Sequence, residues 1–253
     1  MRTKLAFVLA AAMGFGGMQV ATAADMAVKA RPMAPVPVAF SWTGCFIGGN
    51  AGGLWARKDW NTASGDPSGF PVGTAFGSHD PTGFLGGAQV GCDYQFAGSY
   101  VIGIQGDYDW SNTKGSSADA VNAAFFGTTP WTDETRVKSL GSVTGRFGYA
   151  WDRFLGYARG GVAWERDDYS IFNPAGLTSA TASETRTGWT VGVGGEYAFT
   201  NYLSGFVEYD YYDFGTRSNR FLSPGGVLFD VADIRERKSV VKAGLNLRWN
   251  AGR

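Results

Sequence analysis

The stretch Thr187–Gly215, TGWTVGVGGEYAFTNYLSGFVEYDYYDFG, alternates apolar and polar residues along most of its length. Trp189, Val191, Val193, Tyr197 and Phe199 share one parity, against Thr190, Gly192, Gly194, Glu196 and Ala198 on the other. After a short break Leu203, Val207, Tyr209 and Tyr211 share a parity, against Ser204, Glu208 and Asp210. Period two is the strand period, so the segment reads as a long hairpin with one greasy and one polar face. The three-residue loop Thr200-Asn201-Tyr202 keeps both greasy faces on the same side of the sheet, whereas a loop of two would turn one strand over. Mid-strand carboxylates backed by an aromatic-rich face suit a barrel whose apolar side looks out at lipid.

The amino terminus supports a route to such a membrane. Arg2 and Lys4 precede the apolar run Leu5–Val20 and then Ala21-Thr22-Ala23, the pattern of a secretory signal peptide over residues 1–23. Residues 24–39 hold Pro32, Pro35 and Pro37 among small residues and read as a Pro-rich periplasmic tether. The barrel is expected over 40–250. No later segment has the length and hydropathy of a transmembrane helix, so a spanning structure here has to be a closed barrel. The formal net charge is zero, which offers no basic excess for nucleic acid.

Eight alternating segments follow, near 40–56, 83–96, 100–111, 135–151, 154–168, 185–199, 203–215 and 237–249. Polar loops near 57–82, 112–134, 169–184 and 216–236 take turns with tight turns at 97–99, 152–153 and 200–202. Long loops on one rim and tight turns on the other are the outer-membrane barrel pattern. The expected fold is therefore all-β, an eight-stranded antiparallel transmembrane β-barrel of meander topology. Bulky aromatics near strand ends, namely Trp42, Trp55, Tyr94, Trp110, Trp151, Trp164, Trp189 and Trp249, are expected to form the interfacial girdles. A soluble lipocalin-like barrel is the same pattern turned inside out. The girdle positions and the loop rotation favour the lipid-facing form. Segment 154–168 reads either way, and sending Arg159 inward orients it.

The inward polar set then comprises Gln89, Asp93, Gln105, Asp107, Arg146, Arg159, Glu196, Glu208, Asp210 and Lys242. An eight-stranded barrel is just wide enough for side chains to fill it, so these charges should pair and plug the lumen. Glu196 and Glu208 do not form an acid/base pair in this register, because their cross-strand partners are Phe206 and Gly194. His79, the single histidine, sits beside Asp80 in the first long loop. It reads as a solvated loop residue. A Ser78–His79–Asp80 site would make a lipid-modifying enzyme, but adjacency in sequence is not triad geometry. Cys45 and Cys92 lie on neighbouring strands at outward parity. They form either a cross-strand disulfide, in an oxidising compartment, or two small residues in the lipid belt. Arg235-Glu236-Arg237-Lys238 reads as a charged loop-to-strand entry on a solvated rim, with lipopolysaccharide head groups as the alternative neighbour.

With these residues in view, the chain resembles the small Gram-negative outer-membrane β-barrel proteins, the porin-like surface antigens related in shape to the OmpA and opacity types. The matching blocks are SWTGCFIGGNAGG at 41–53, GFLGGAQVGCDYQ at 83–95, GSVTGRFGYAWDRFLGYARGGVAW at 141–164, the 187–215 hairpin and VKAGLNLRW at 241–249. Cys45 and Cys92 depart from the aromatic residues usual there, and Asn250–Arg253 extends past the usual terminal aromatic. The resemblance implies a surface protein of the outer membrane, described in members as a major antigen, an envelope stabiliser or sometimes a haemin binder. The expected role is structural and surface-interacting, not enzymatic, with a small-solute channel and an outer-leaflet lipid enzyme as alternatives. Expected partners are outer-membrane lipid and lipopolysaccharide, the barrel-assembly machinery and a host or surface ligand at the loops; no cofactor and no metal are expected.

Overall fold

The computed structural model describes residues 40–67, 69, 71–119, 131–173 and 175–249. The expected signal peptide at 1–23, the tether at 24–39 and residue 250 lie outside these. Eight long strands close into a ring: β1 (Gly44–Thr62), β3 (Thr82–Phe96), β4 (Tyr100–Ser111), β6 (Trp131–Trp151), β7 (Phe154–Phe172), β8 (Thr178–Ala198), β9 (Leu203–Leu222) and β10 (Leu228–Trp249). Pairing is antiparallel between chain neighbours, and β1 meets both β3 and β10 to complete the circle. Two short strands, β2 (Ala75–His79) and β5 (Lys114–Asp119), extend the ladders of β1 and β6 on the outer side.

Parity behaves as the hairpin predicts. Val191, Val193, Val207, Leu245 and Leu247 are exposed on the outside, while Glu196, Glu208, Asp210 and Lys242 are buried within. Glu196 opposes Phe206 and Glu208 opposes Gly194, the expected register. Arg159 is buried inside, which fixes the facing of β7. The outer aromatic girdle runs through Trp55, Trp110, Trp189 and Tyr211, and the inner one through Tyr94, Trp151, Tyr197 and Trp249. Trp42 is a correction: it is fully buried in the tight-turn mouth, donating from Nε1 to the Asp152 carbonyl at 3.0 Å, and is no part of a girdle.

The expected long loops are also corrected. Much of the described part of 57–82, 112–134, 169–184 and 216–236 is strand, so that β7 and β8, and β9 and β10, follow each other closely in the chain. The barrel thus stands well above the lipid belt. Alternation is hidden in sequence there because the outside meets water: on β8 the outward residues are Thr181, Ser183, Thr185 and Thr187, all exposed.

Small residues let the lumen narrow. A Cβ on inward Gly161 would lie 2.1 Å from the Val143 carbonyl oxygen and 2.8 Å from the Thr144 Cα, both backbone atoms that cannot swing aside. On outward Gly160 it would meet nothing nearer than 3.4 Å. Gly161→Ala is therefore expected to destabilise the barrel by about 1–3 kcal/mol through overpacking. Gly160→Ala should be close to neutral in urea unfolding of the refolded protein, and equal midpoints for the two variants would contradict the close approach.

Candidate functional site: a tiered, closed lumen

The inward faces of β7 and β10 read the same sequence of layers from rim to rim. Along β7 these are Leu155 and Tyr157, Arg159, Ala163, Glu165 and Asp167, then Tyr169 and Ile171. Along β10, from the opposite end, they are Ile234, Glu236 and Lys238, Val240, Lys242, then Asn246 and Arg248. From the tight-turn mouth upward come an apolar group, two adjoining ionic tiers, a central apolar group, a third ionic tier and an outer apolar group. The apolar tiers are Trp42, Val101, Ala150, Leu155, Tyr157 and Ala198 at the tight-turn mouth, a central group built on Leu54, Leu140 and Phe214, and an outer group built on Trp60, Tyr169 and Phe221.

The lowest ionic tier joins Arg146 and Arg248 to Asp93 and Glu196. Arg146 reaches Glu196 at 2.9 Å, and Arg248 forks to Glu196 at 2.9 Å and Asp93 at 2.7 Å. Gln89, Asn246 and Ser204 supply further hydrogen bonds, with Ser204 donating to Glu196 at 2.6 Å. Arg248 also donates to the Trp42 carbonyl at 3.0 Å and lies 4.8 Å from that ring, tying the mouth closed.

The middle tier is acid-rich. Arg159 bonds Glu208 and Asp107, with Asp210 at 3.5 Å, and Lys242 lies 3.4–3.7 Å from Asp107, Asp109, Glu208 and Asp210. Four carboxylates thus share two cations, and both oxygens of Asp109 and of Asp210 lack a hydrogen-bond partner. Of the inward set expected from the sequence, Asp107, Arg159, Glu208, Asp210 and Lys242 lie here, and Gln89, Asp93, Gln105, Arg146 and Glu196 lie in the tier below.

A third ionic tier stands above the outer girdle, and sequence reasoning missed it. Lys58 contacts Asp167 and lies 2.7 Å from Glu236; Lys238 contacts Glu165 and lies 2.9 Å from Glu236; Arg186 is 3.7 Å from Glu236. The outward neighbours here are charged or exposed (Arg57, Asp59, Arg166, Asp168), which places this tier beyond the hydrocarbon. Burial alone would raise the Glu236 carboxyl, but Lys238, Lys58 and Arg186 outweigh it and hold Glu236 well below the usual carboxylate range. Asp167, buried beside Glu236, is pushed up. The Glu165, Asp167 and Glu236 oxygens lie within 4.8 Å of one another, yet three basic side chains already match their charge, leaving no need for a cation. The signal that could have found this tier is the unbroken parity of β7: Ala163, Glu165, Asp167, Tyr169 and Ile171 share one face.

Cys45 and Cys92 are direct partners between β1 and β3, joined by a disulfide with Cα atoms 3.9 Å apart, on the outward face. Ser78 and His79 fall in β2, opposite Asp59 and Lys58 in the ladder, and not in an open loop.

Comparison with known proteins follows the architecture. The family model for the outer membrane protein beta-barrel domain matches residues 7–235. The chain belongs to this family, and is a protein of the outer membrane. It is 35% identical over 206 residues to the 31 kDa outer-membrane immunogenic protein of Brucella melitensis, covering 78% of this chain and 82% of that one. It is 29% identical over 222 residues to the 25 kDa outer-membrane immunogenic protein of Brucella abortus, covering 86% and 88%. Among solved structures, the outer membrane protease OmpT of Escherichia coli is similar in fold, with a TM-score of 0.51 at 10% identity over 84% of this chain and 99% of that one. At that identity the likeness concerns the fold alone.

Proposed function

We propose that this barrel is a closed structural and surface-interaction protein, and neither a channel nor a lipid enzyme. The observation that carries the reading is the run of apolar tiers across the lumen. Leu54, Leu140, Leu155 and Phe221 are each 0% exposed, so apolar side chains fill the bore at three levels. An ion would have to shed its water at each tier and then leave paired charges behind it. The long strands present a stiff, polar wall outside the cell instead. The relatives named as outer-membrane immunogenic proteins support the same reading.

Outer-leaflet head groups are the expected neighbours of that wall. Arg57 and Arg237 oppose each other across β1 and β10, one outward position above the Trp55–Ser239 pair. Like charges directly opposite repel, and Asp59 at 3.6 and 3.2 Å balances only part of the pair. A lipid phosphate fits between the two guanidiniums, which suit bidentate contact.

The test is planar-bilayer recording of refolded protein. The expected result is insertion without steady conductance. An ohmic open level from the unmodified chain would overturn the closed-barrel reading and favour the small-solute channel.

A further inference from the structure

The wall of the barrel is split between β8 and β9. β8 and β9 pair from Trp189↔Asp213 down to the tight turn, and again at Thr181↔Leu222, but not between. Over this interval β8 remains paired to β7 and β9 to β10, and Gly188 still packs against Phe214, so residues 182–187 and 216–221 are two strand edges facing one another. The cause is visible in β9. Its register against β10 jumps from Arg237↔Asp213 to Glu236↔Gly215, and Gly215 adopts φ +68°, held by its N–H donating to Asp213 Oδ1 at 2.8 Å. A bulge built on a left-handed glycine bends its strand and adds twist. β9 therefore turns away from β8 and opens a slit that is closed at both ends and begins just above the Trp189–Tyr211 aromatic contact.

The slit is a cleft of about 600 Å³, lined by both edges and floored by Tyr169. Within it the backbone groups that would complete the β8–β9 ladder are unpaired, the condition that makes a strand edge a template for another strand. Its side chains are rich in donors. Buried Asn219 in the lining leaves Nδ2 without a hydrogen-bond partner. Arg217 and Arg220 are exposed on the β9 edge and form no ion pair among the described residues. The acids nearby are already engaged, Glu184 by Arg186 at 2.9 Å and Asp168 by Lys138 at 3.0 Å.

We propose that this slit is a strand-insertion site for an extended acidic peptide segment of a partner protein. The peptide backbone completes the ladder between β8 and β9, and an inward carboxylate takes the free donor of Asn219. Arg217 and Arg220 attract the same charge from outside. This deepens the surface-interaction reading by naming the partner's chemistry. The two can fail separately, since conductance tests the lumen and leaves the slit untouched.

The experiment is hydrogen–deuterium exchange of the refolded full barrel, with and without a synthetic peptide of sequence Thr-Val-Thr-Glu-Thr-Val-Thr blocked at both ends. In the free protein, the amides of 182–187 and 216–221 that point into the slit, and not those bonded to β7 or β10, should exchange at least tenfold faster than those of the β6–β7 ladder at the same height. The peptide should slow them tenfold or more. A version with Lys in place of Glu should bind at least tenfold more weakly, and one with Pro in place of both Val residues should give no protection. Arg217→Glu with Arg220→Glu, both on the exposed edge and harmless to folding, should weaken the acidic peptide and strengthen the Lys version. Slow exchange of both edges in the free protein would overturn the proposal by showing the slit closed. Equal protection by the acidic and basic peptides, or protection elsewhere on the barrel, would overturn it as well.

Discussion

Arg159→Met is expected to cost the folded barrel roughly 3–5 kcal/mol, the range for removing one partner of a buried ionic group. Arg159 is the hub of the middle tier, bonded to Glu208, Asp107 and Ser142 and close to Asp210. Without it Lys242 alone faces four carboxylates in a lumen surrounded by hydrocarbon. Methionine has nearly the reach of the side chain it replaces, so the loss reports charge more than volume. The measurement is the urea midpoint of the protein refolded in lipid, with the mobility shift between folded and heated forms as a second readout. Asp109→Asn is the informative contrast. It removes a carboxylate whose oxygens have no hydrogen-bond partner and lightens the acid surplus, so stability should hold or rise. A loss for Asp109→Asn as large as that for Arg159→Met would contradict the charge count of this tier.

The second large effect concerns the bridge on the lipid face. Cys45 and Cys92 are 47 residues apart in sequence. Closing a loop of that length removes chain entropy from the unfolded state equivalent to about 4 kcal/mol in the entropic account. Replacing both cysteines by Ala is expected to lower stability by up to that amount. A reductant present throughout unfolding should destabilise the natural protein similarly and leave the double variant unchanged. Mass spectrometry without reductant should find no free thiol. If reductant shifts neither protein, the bridge contributes nothing to the barrel.

Legibility in the sequence followed the solvent. Where the outside of a strand meets hydrocarbon, contrast between faces is strong, and 187–199 and 203–213 show their register in the residues alone. Segment 178–186 forms the same strand, but its outward Thr and Ser residues alternate with Ala, Glu and Arg, so neither face looks apolar. That is why the strands seemed to end where the lipid ends, and why the upper tier of Lys58, Glu165, Asp167, Arg186, Glu236 and Lys238 escaped notice. Arg159, Glu208 and Lys242 could be found because each sits alone among small or apolar neighbours of fixed parity. Trp42 was misplaced because it lies just before β1 begins, where parity no longer says which way a side chain turns. The slit left no apolar trace in sequence; the glycine at 215 is its one mark, and a lone glycine in a strand signals a bulge without saying what the bulge opens.

The tiers also act on the strands before the ring closes. Sliding β4, β7, β9 or β10 by one residue against a neighbour exchanges inner and outer faces. Asp107, Arg159, Glu208 or Lys242 would then project into lipid, at about 2–4 kcal/mol for a basic side chain near the bilayer midplane. A slide of two residues keeps the faces but carries Arg159 out of the carboxylate tier and leaves Glu208 and Asp107 without it. The lumen charges therefore work as registry keys during assembly: a single stacking of the eight strands hides and pairs them all, and mis-slid barrels are rejected in hydrocarbon before side-chain packing is complete.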